Sequence, residues 1–175
     1  PAHGDRSKND RRQTRSTFCR LGVAALGIYL VVCGLAHRAA LGRVRQFVES
    51  QRQAVESLAA LPQPLSPFRW SGLILTQEGV YQGWFSVLEV DLAAEGFQFF
   101  ASDSGPYVTR AEELPEVKTY LWFARFPVVR VRRAGGMHLV EYTDLRFRSP
   151  QRSGGAFAFR VLFDARGQAS VPGFE

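Results

Sequence analysis

Residues Pro115 to Val131 read PEVKTYLWFARFPVVRV, and the fold turns on how this run divides. Taken as one basic and aromatic strip, it offers stacking faces beside positive charge, as single-stranded nucleic-acid platforms do. Taken by periodicity, it is a helix that runs into a strand. Val117, Tyr120, Leu121 and Ala124 fall at i, i+3, i+4 and i+7, which makes one apolar helical face, with Trp122 and Phe123 flanking it. Pro115 suits a first helical position, and Pro127 ends the helix because it has no N–H to donate. Val128 to Arg133 then takes up the period of two expected of a strand.

A two-residue turn at Gly135-Gly136 would place Val131 opposite Val140, Val129 opposite Tyr142 and Arg130 opposite Glu141. The first two pairs share one face and the third lies on the other, as a half-buried antiparallel hairpin requires. The arginines of the opening stretch then belong to a solvated face with an acidic partner.

The strand signals continue on both sides. RWSGLILTQ (69–77) and VYQGWFSVLEV (80–90) flank Glu78-Gly79 and read as a hairpin. Gly96 to Phe100 is a short strand, and Ala101 to Tyr107 a loop. Thr109 with Glu112 has capping-box spacing. Near the end, Phe157, Phe159, Val161 and Phe163 alternate with Ala158, Arg160 and Leu162, before a turn at Asp164 to Gly167. Residues 68–175 therefore predict an α+β domain: five or six antiparallel strands with one main helix packed on the sheet.

The first third differs in kind. Residues 1–52 hold ten Lys or Arg against three acidic residues, whereas the remainder holds twelve against thirteen. The overall charge of +6 thus belongs to the N-terminal part, and the globular part is nearly neutral. A nucleic-acid binder would gather positive charge in the domain that carries its stacking residues, so nucleic acid is not an expected partner.

Leu21 to Ala36 is sixteen residues without a charge. If Arg38 snorkels, the span extends to Leu41, and at about 1.5 Å per residue it matches the roughly 30 Å of bilayer hydrocarbon. A transmembrane helix over residues 21–41 is the leading reading. A secretory signal peptide with Gly34-Leu35-Ala36 at its cleavage site competes with it, although the helical pattern continues past that point. A lipoprotein site at Cys33 is disfavoured by the bulky Val32 before it.

Six basic residues precede the span, so residues 1–20 are expected in the cytoplasm and the domain outside it. In a Gram-negative cell that topology would put the domain in the periplasm, with the bilayer as the protein's first partner. Cys19 and Cys33 would lie about 21 Å apart along the helix, beyond disulfide reach. The polar leader, residues 1–17, reads like a loop between segments and suggests the C-terminal piece of something longer. After the span, Val44, Val48, Val55 and Leu58 recur at helical spacing, so an amphipathic helix is expected over residues 42–61. LPQPLSP (61–67) then supplies a stiff linker, residues 62–67, ahead of the domain.

Little in the chain points to catalysis. His3, His37 and His138 share no motif spacing, and no set of three metal ligands is grouped. GxSxG, phosphate-loop and dinucleotide patterns are missing from the sequence. Trp70, Trp84 and Trp122 are many large indoles for so small a domain, and one of them is a candidate to line a binding groove, with Arg125 nearby in sequence to Trp122. The alternative is that all three fill the core.

The runs YLVVCGLAHRAAL (29–41), LPQPLSPFRWSGLI (61–74), VYQGWFS (80–86), PEVKTYLWFARFPVVRV (115–131) and FRVLFDARGQ (159–168) resemble the C-terminal part of bacterial membrane-bound metal-dependent hydrolases. That family is related to the LexA-binding, inner-membrane-associated hydrolases. The resemblance implies a polytopic parent in which a divalent metal is bound by His and Asp of an N-terminal membrane region. Arg69, Trp70, Trp122, Arg125 and Asp144 match the family's C-terminal pattern, and no catalytic residue carries over to this chain. Two functions follow as expectations. In one, the domain is accessory to a hydrolase active site located elsewhere. In the other, it is a non-catalytic, membrane-anchored module for a protein partner or an envelope ligand.

Overall fold

The computed structural model describes residues 4–51, 54–89, 96–148 and 157–171. Helix α1 (Gly4–Gln51) runs through the leader, the apolar run and beyond. The leader, which reads as a loop, is helical from Gly4: Arg, Lys and Gln are good helix formers, and an established helix extends onto them readily. Side chains from Phe18 to Leu35 are exposed apart from the half-covered Cys33, whereas Ala36, Ala40 and Val44 are buried against protein.

The expected helix over residues 42–61 is corrected by the structure. α1 stops at Gln51, and Ser57–Pro62 is strand β1. The spacing of Val55, Leu58 and Leu61 suits a helix, but the pattern also permits a strand, and a partner decides between them. β1 pairs antiparallel with β2 (Arg69–Thr76) from Ser57↔Leu75 to Pro62↔Trp70, and so gains a ladder and two covered faces. Leu58 and Ala60 turn toward α1, while Ala59 and Leu61 turn the other way. The Pro-rich run at 62–67 is therefore the loop of the β1–β2 hairpin and not a linker between separate units.

β2 pairs with β3 (Gly79–Ser86), and β3 with β4 (Phe97–Ala101), which completes a sheet in the order β1-β2-β3-β4. Thr76 lies opposite Gly79, so the turn is Gln77-Glu78. Gly79, with φ +154, begins β3 so close to Phe100 that a Cβ would strike its carbonyl oxygen. α2 (Pro106–Glu112) and α3 (Pro115–Phe123) follow. The capping box does not form, because Pro106 takes the first helical position and Gly105 the cap. Thr109 then lies inside α2 and donates its hydroxyl to the Gly105 carbonyl at 3.3 Å.

The second sheet has the order β5-β6-β7-β8, built from β5 (Pro127–Ala134), β6 (Met137–Asp144), β7 (Ala158–Phe163) and β8 (Ala169–Ser170). A short 3-10 turn, Leu145–Phe147, follows β6. The β5–β6 register is the expected one, with Val131↔Val140, Arg130↔Glu141 and Val129↔Tyr142. Gly135 and Gly136 have φ +58 and +81, the paired positive values that a tight type I′ hairpin needs.

The α+β class holds, with two four-stranded sheets in place of one. α1 covers one face of the first sheet through Ala36, Ala40, Val44, Trp70, Ile74 and Phe85. The other face packs Leu73 and Val80 on Phe126, Val128 and Leu145 of the second sheet. α2 and α3 cover the far face of the second sheet, where Val117, Tyr120 and Ala124 meet Val140, Tyr142, Phe159 and Val161. Gly72 and Gly83, opposite each other in β2 and β3, leave a bare patch that the Phe97 ring fills, with Val44 of α1 pressed on Gly72.

Candidate functional site

The four side chains singled out by sequence occupy different surroundings. Trp70 is only 4% exposed, stacks on His37 of α1 at 5.3 Å between ring centres, and donates its Nε1–H to the Pro67 carbonyl at 3.1 Å. Trp84 is half-buried on the opposite face of the same sheet end, since it pairs with Ser71 while Trp70 pairs with Phe85. Trp122 projects from α3 with 84% of its surface exposed, so the three indoles do not all fill the core. The Arg125 side chain is exposed, and its backbone N–H donates to Asp144 Oδ2 at 3.0 Å.

Trp70 and Trp84 both line one groove of about 860 Å³ at that sheet end, and Trp122 and Arg125 lie outside its walls. The Pro-rich β1–β2 loop forms one wall, the ends of β2 and β3 the floor, and Arg146, Phe147 and Arg148 the opposite wall. Among the described residues, three arginines therefore face it (Arg69, Arg146 and Arg148) against one acid, Glu89.

These arginines differ in how far their charge is committed. Arg146 is held by Asp144, which is fully buried. Its Nη2 lies 2.7 Å from Asp144 Oδ2, its Nε donates to the same oxygen at 2.8 Å, and Nη2 also donates to the Phe123 carbonyl at 2.9 Å. The ion pair neutralises most of that charge. Asp144 accepts in addition from the Arg146 backbone N–H at 3.0 Å, so one carboxylate organises the turn after β6 and the end of α3 together. Arg69 is exposed. Arg148 lies over the rings of Phe100, at 4.3 Å, and Trp84, at 5.8 Å. Arg148 Nη1 and Trp84 Nε1 are both buried and have no hydrogen-bond partner among the described residues. Both groups belong to residues that line the same groove.

Arg43, a polar residue among the apolar positions of α1, donates its guanidinium to the Ser86 carbonyl at 2.5 Å, to the Val87 carbonyl at 3.0 Å and to the Glu89 carbonyl. It thereby caps the end of β3 and fixes the sheet to α1. Gln82 bridges the sheets, with Nε2 donating to the Leu145 carbonyl at 3.0 Å. Nothing in the sequence near Arg43 or Gln82 signals these partners, because both contacts are distant along the chain.

Two buried tyrosines carry the clear electrostatic perturbations, Tyr120 and Tyr142. Burial, with the Asp144 charge adding to it, pushes the Tyr120 hydroxyl up to about 12, and the group donates to the Phe157 carbonyl at 3.0 Å. Tyr142 beneath it is raised as well, first by burial and then by Glu112.

Of the histidines, His37 stacks on Trp70, and His138 stacks on Tyr107 at 3.9 Å between ring centres. No group of three or more His, Cys, Asp or Glu among the described residues is arranged to hold a metal. The divalent metal implied by the family resemblance therefore has no fitting ligand set among the described residues of this domain. No known protein family, curated protein or solved structure matches the chain. By length and composition α1 is apolar enough to cross a membrane, and this supports membrane anchoring.

Proposed function

We propose that the protein is a membrane-anchored binding module of the bacterial inner membrane, with its N-terminus in the cytoplasm and its α+β domain outside. One observation carries this reading: the helix that would span the bilayer is also part of the domain's core. Ala36, Ala40 and Val44 are buried on the first sheet, and Arg43 caps β3, so the domain is held at the end of the span with no flexible tether between them. The lipid-facing stretch then runs from Phe18 to Leu35, about 27 Å at the helical rise, close to the hydrocarbon thickness. A groove fixed at this height suits a ligand presented at the membrane surface.

A second reading keeps the domain as the accessory part of a metal-dependent hydrolase whose catalytic residues lie in other membrane segments. It is favoured by the fact that residues of the PLSPFRW motif (64–70), which carries the family resemblance, line the groove. Metal content together with phosphatase and esterase assays on the longest natural form in detergent would separate the two.

The anchored reading is tested by alkaline carbonate extraction and by labelling single cysteines placed at Ser57 and Ser170, with Cys19 and Cys33 replaced. Retention in the membrane and labelling from the periplasmic side are expected. Labelling only from the cytoplasmic side would reverse the topology, and release by carbonate would remove the anchor.

A further inference from the structure

We infer that the groove holds the phosphate headgroup of an anionic phospholipid, and that the β1–β2 loop enters the bilayer surface beside it. The inference rests on the membrane-anchored reading above and deepens it. It starts from the loop. Leu65 is fully exposed at its tip and sits at φ +63, a left-handed conformation that a branched residue rarely adopts. A leucine fixed outward in this way is poorly suited to water and well suited to an apolar medium.

Most of the loop's backbone is also suited to a low-dielectric surface, where each unbonded N–H is a liability, and only the Leu65 N–H at the tip lacks a partner among the described residues. Pro62, Pro64 and Pro67 have none to expose. Gln63 donates to the Arg69 carbonyl at 2.8 Å, Ser66 to the Gln63 carbonyl at 3.4 Å and Phe68 to Ser66 Oγ at 3.3 Å.

The position of the loop agrees with its chemistry. A cleft of about 480 Å³ opens between it and α1, and includes Tyr29 and Cys33 in its wall with Leu65 and Trp70. Tyr29 and Cys33 belong to the stretch assigned to lipid, so the loop tip lies just inside the bilayer edge, about 3–9 Å from the Leu35 end at the helical rise. The cleft and the arginine groove share Pro62, Gln63, Leu65 and Trp70. An apolar cleft joined to a groove carrying Arg69 and Arg148 has the layout of a phospholipid, with an acyl chain along α1 and a phosphate beside the guanidinium groups. Arg69 and Arg148 carry the preference for an anionic headgroup, since Arg146 is already paired with Asp144 and Glu89 offsets part of the remainder.

The test uses the intact chain in phosphatidylcholine nanodiscs, carrying Trp122→Phe so that emission comes from Trp70 and Trp84. A minor amount of phosphatidylglycerol brominated on its acyl chains is expected to quench more strongly than the same amount of brominated phosphatidylcholine. Arg69→Gln, a change at an exposed side chain, should weaken that preference roughly fivefold, the usual effect of one basic residue at an anionic surface. Leu65→Asn should reduce quenching by both lipids. Equal quenching by the two lipids in the unmutated groove would overturn the headgroup assignment, as would a preference untouched by both Arg69→Gln and Arg148→Gln. If glycerol phosphate in solution abolished the preference, the ligand would be a soluble phosphate and the lipid assignment would fail. Carbonate extraction on the same samples separates the two levels: an anchored protein without lipid preference sinks only this inference, and an unanchored one sinks the function it rests on.

Discussion

Replacing Asp144 by alanine tests the joint on which the groove wall depends. The carboxylate is fully buried and accepts from two backbone N–H groups and from the Arg146 guanidinium. Removing one partner of a buried ion pair generally costs about 3–5 kcal/mol, because the other charge is left without compensation. Here the Arg146 side chain is 23% exposed and keeps the Phe123 carbonyl, so part of that loss is recovered by water. A destabilisation of about 3 kcal/mol is expected for Asp144→Ala. Asp144→Asn, which keeps the shape and one acceptor, should lose about half as much.

The assay is urea unfolding in detergent followed by tryptophan emission, with linear extrapolation to water. Glu141→Ala is the internal control. Its partner Arg160 lies at 2.8 Å, but both side chains are partly solvated, and such pairs contribute about 0–1 kcal/mol. If Asp144→Ala were no more destabilising than Glu141→Ala, the claim that one buried carboxylate holds α3 and the Arg146 turn together would be refuted.

Stability should also fall in alkali. Tyr120 has a folded value of about 12 against an ordinary 10, so the unfolded chain releases its proton first and stability is lost as pH rises from about 10 toward 12. Phenolate absorbance should show Tyr120 ionising together with unfolding, and a separate earlier titration of that group would contradict its burial. Arg43→Met keeps the aliphatic stem and deletes the hydrogen bonds to Ser86, Val87 and Glu89. Faster amide exchange at the end of β3 is expected, with about 1–3 kcal/mol of lost stability, and Arg43→Lys should rescue little because an ammonium cannot span three carbonyls. Trp122→Ala should change stability by less than about 0.5 kcal/mol while removing the emission most accessible to acrylamide, and a large loss would mean that the ring is packed.

What could be read in the chain was whatever local patterning decides. The alternation from Val128 to Val131 and the Gly135-Gly136 pair were enough to give the β5–β6 register residue by residue, because a tight turn and a single buried face leave one pairing. The apolar face of α3 follows likewise from the spacing of Val117, Tyr120 and Ala124. The run from Leu21 is legible as a candidate span because its length and hydropathy suit a bilayer.

The tertiary structure decided the rest. Residues 57–61 carry apolar side chains that satisfy either a helix or a strand, and only the open edge of β2 settles them as β1. That choice turns a proline-rich linker into a hairpin loop lying against the anchor. The groove depends on it, since Trp70 and Trp84 are brought to one end of a sheet, while the facing wall, Arg146 and Arg148, comes from the 3-10 turn after β6, far along the chain. Sequence spacing records which face a side chain takes within its own element, but it carries no term for which distant element will cover that face. For this reason Trp70, Trp84 and Trp122 look alike as letters, and become a buried stacking partner, a groove lining and a solvated ring only when the two sheets and α1 are packed together.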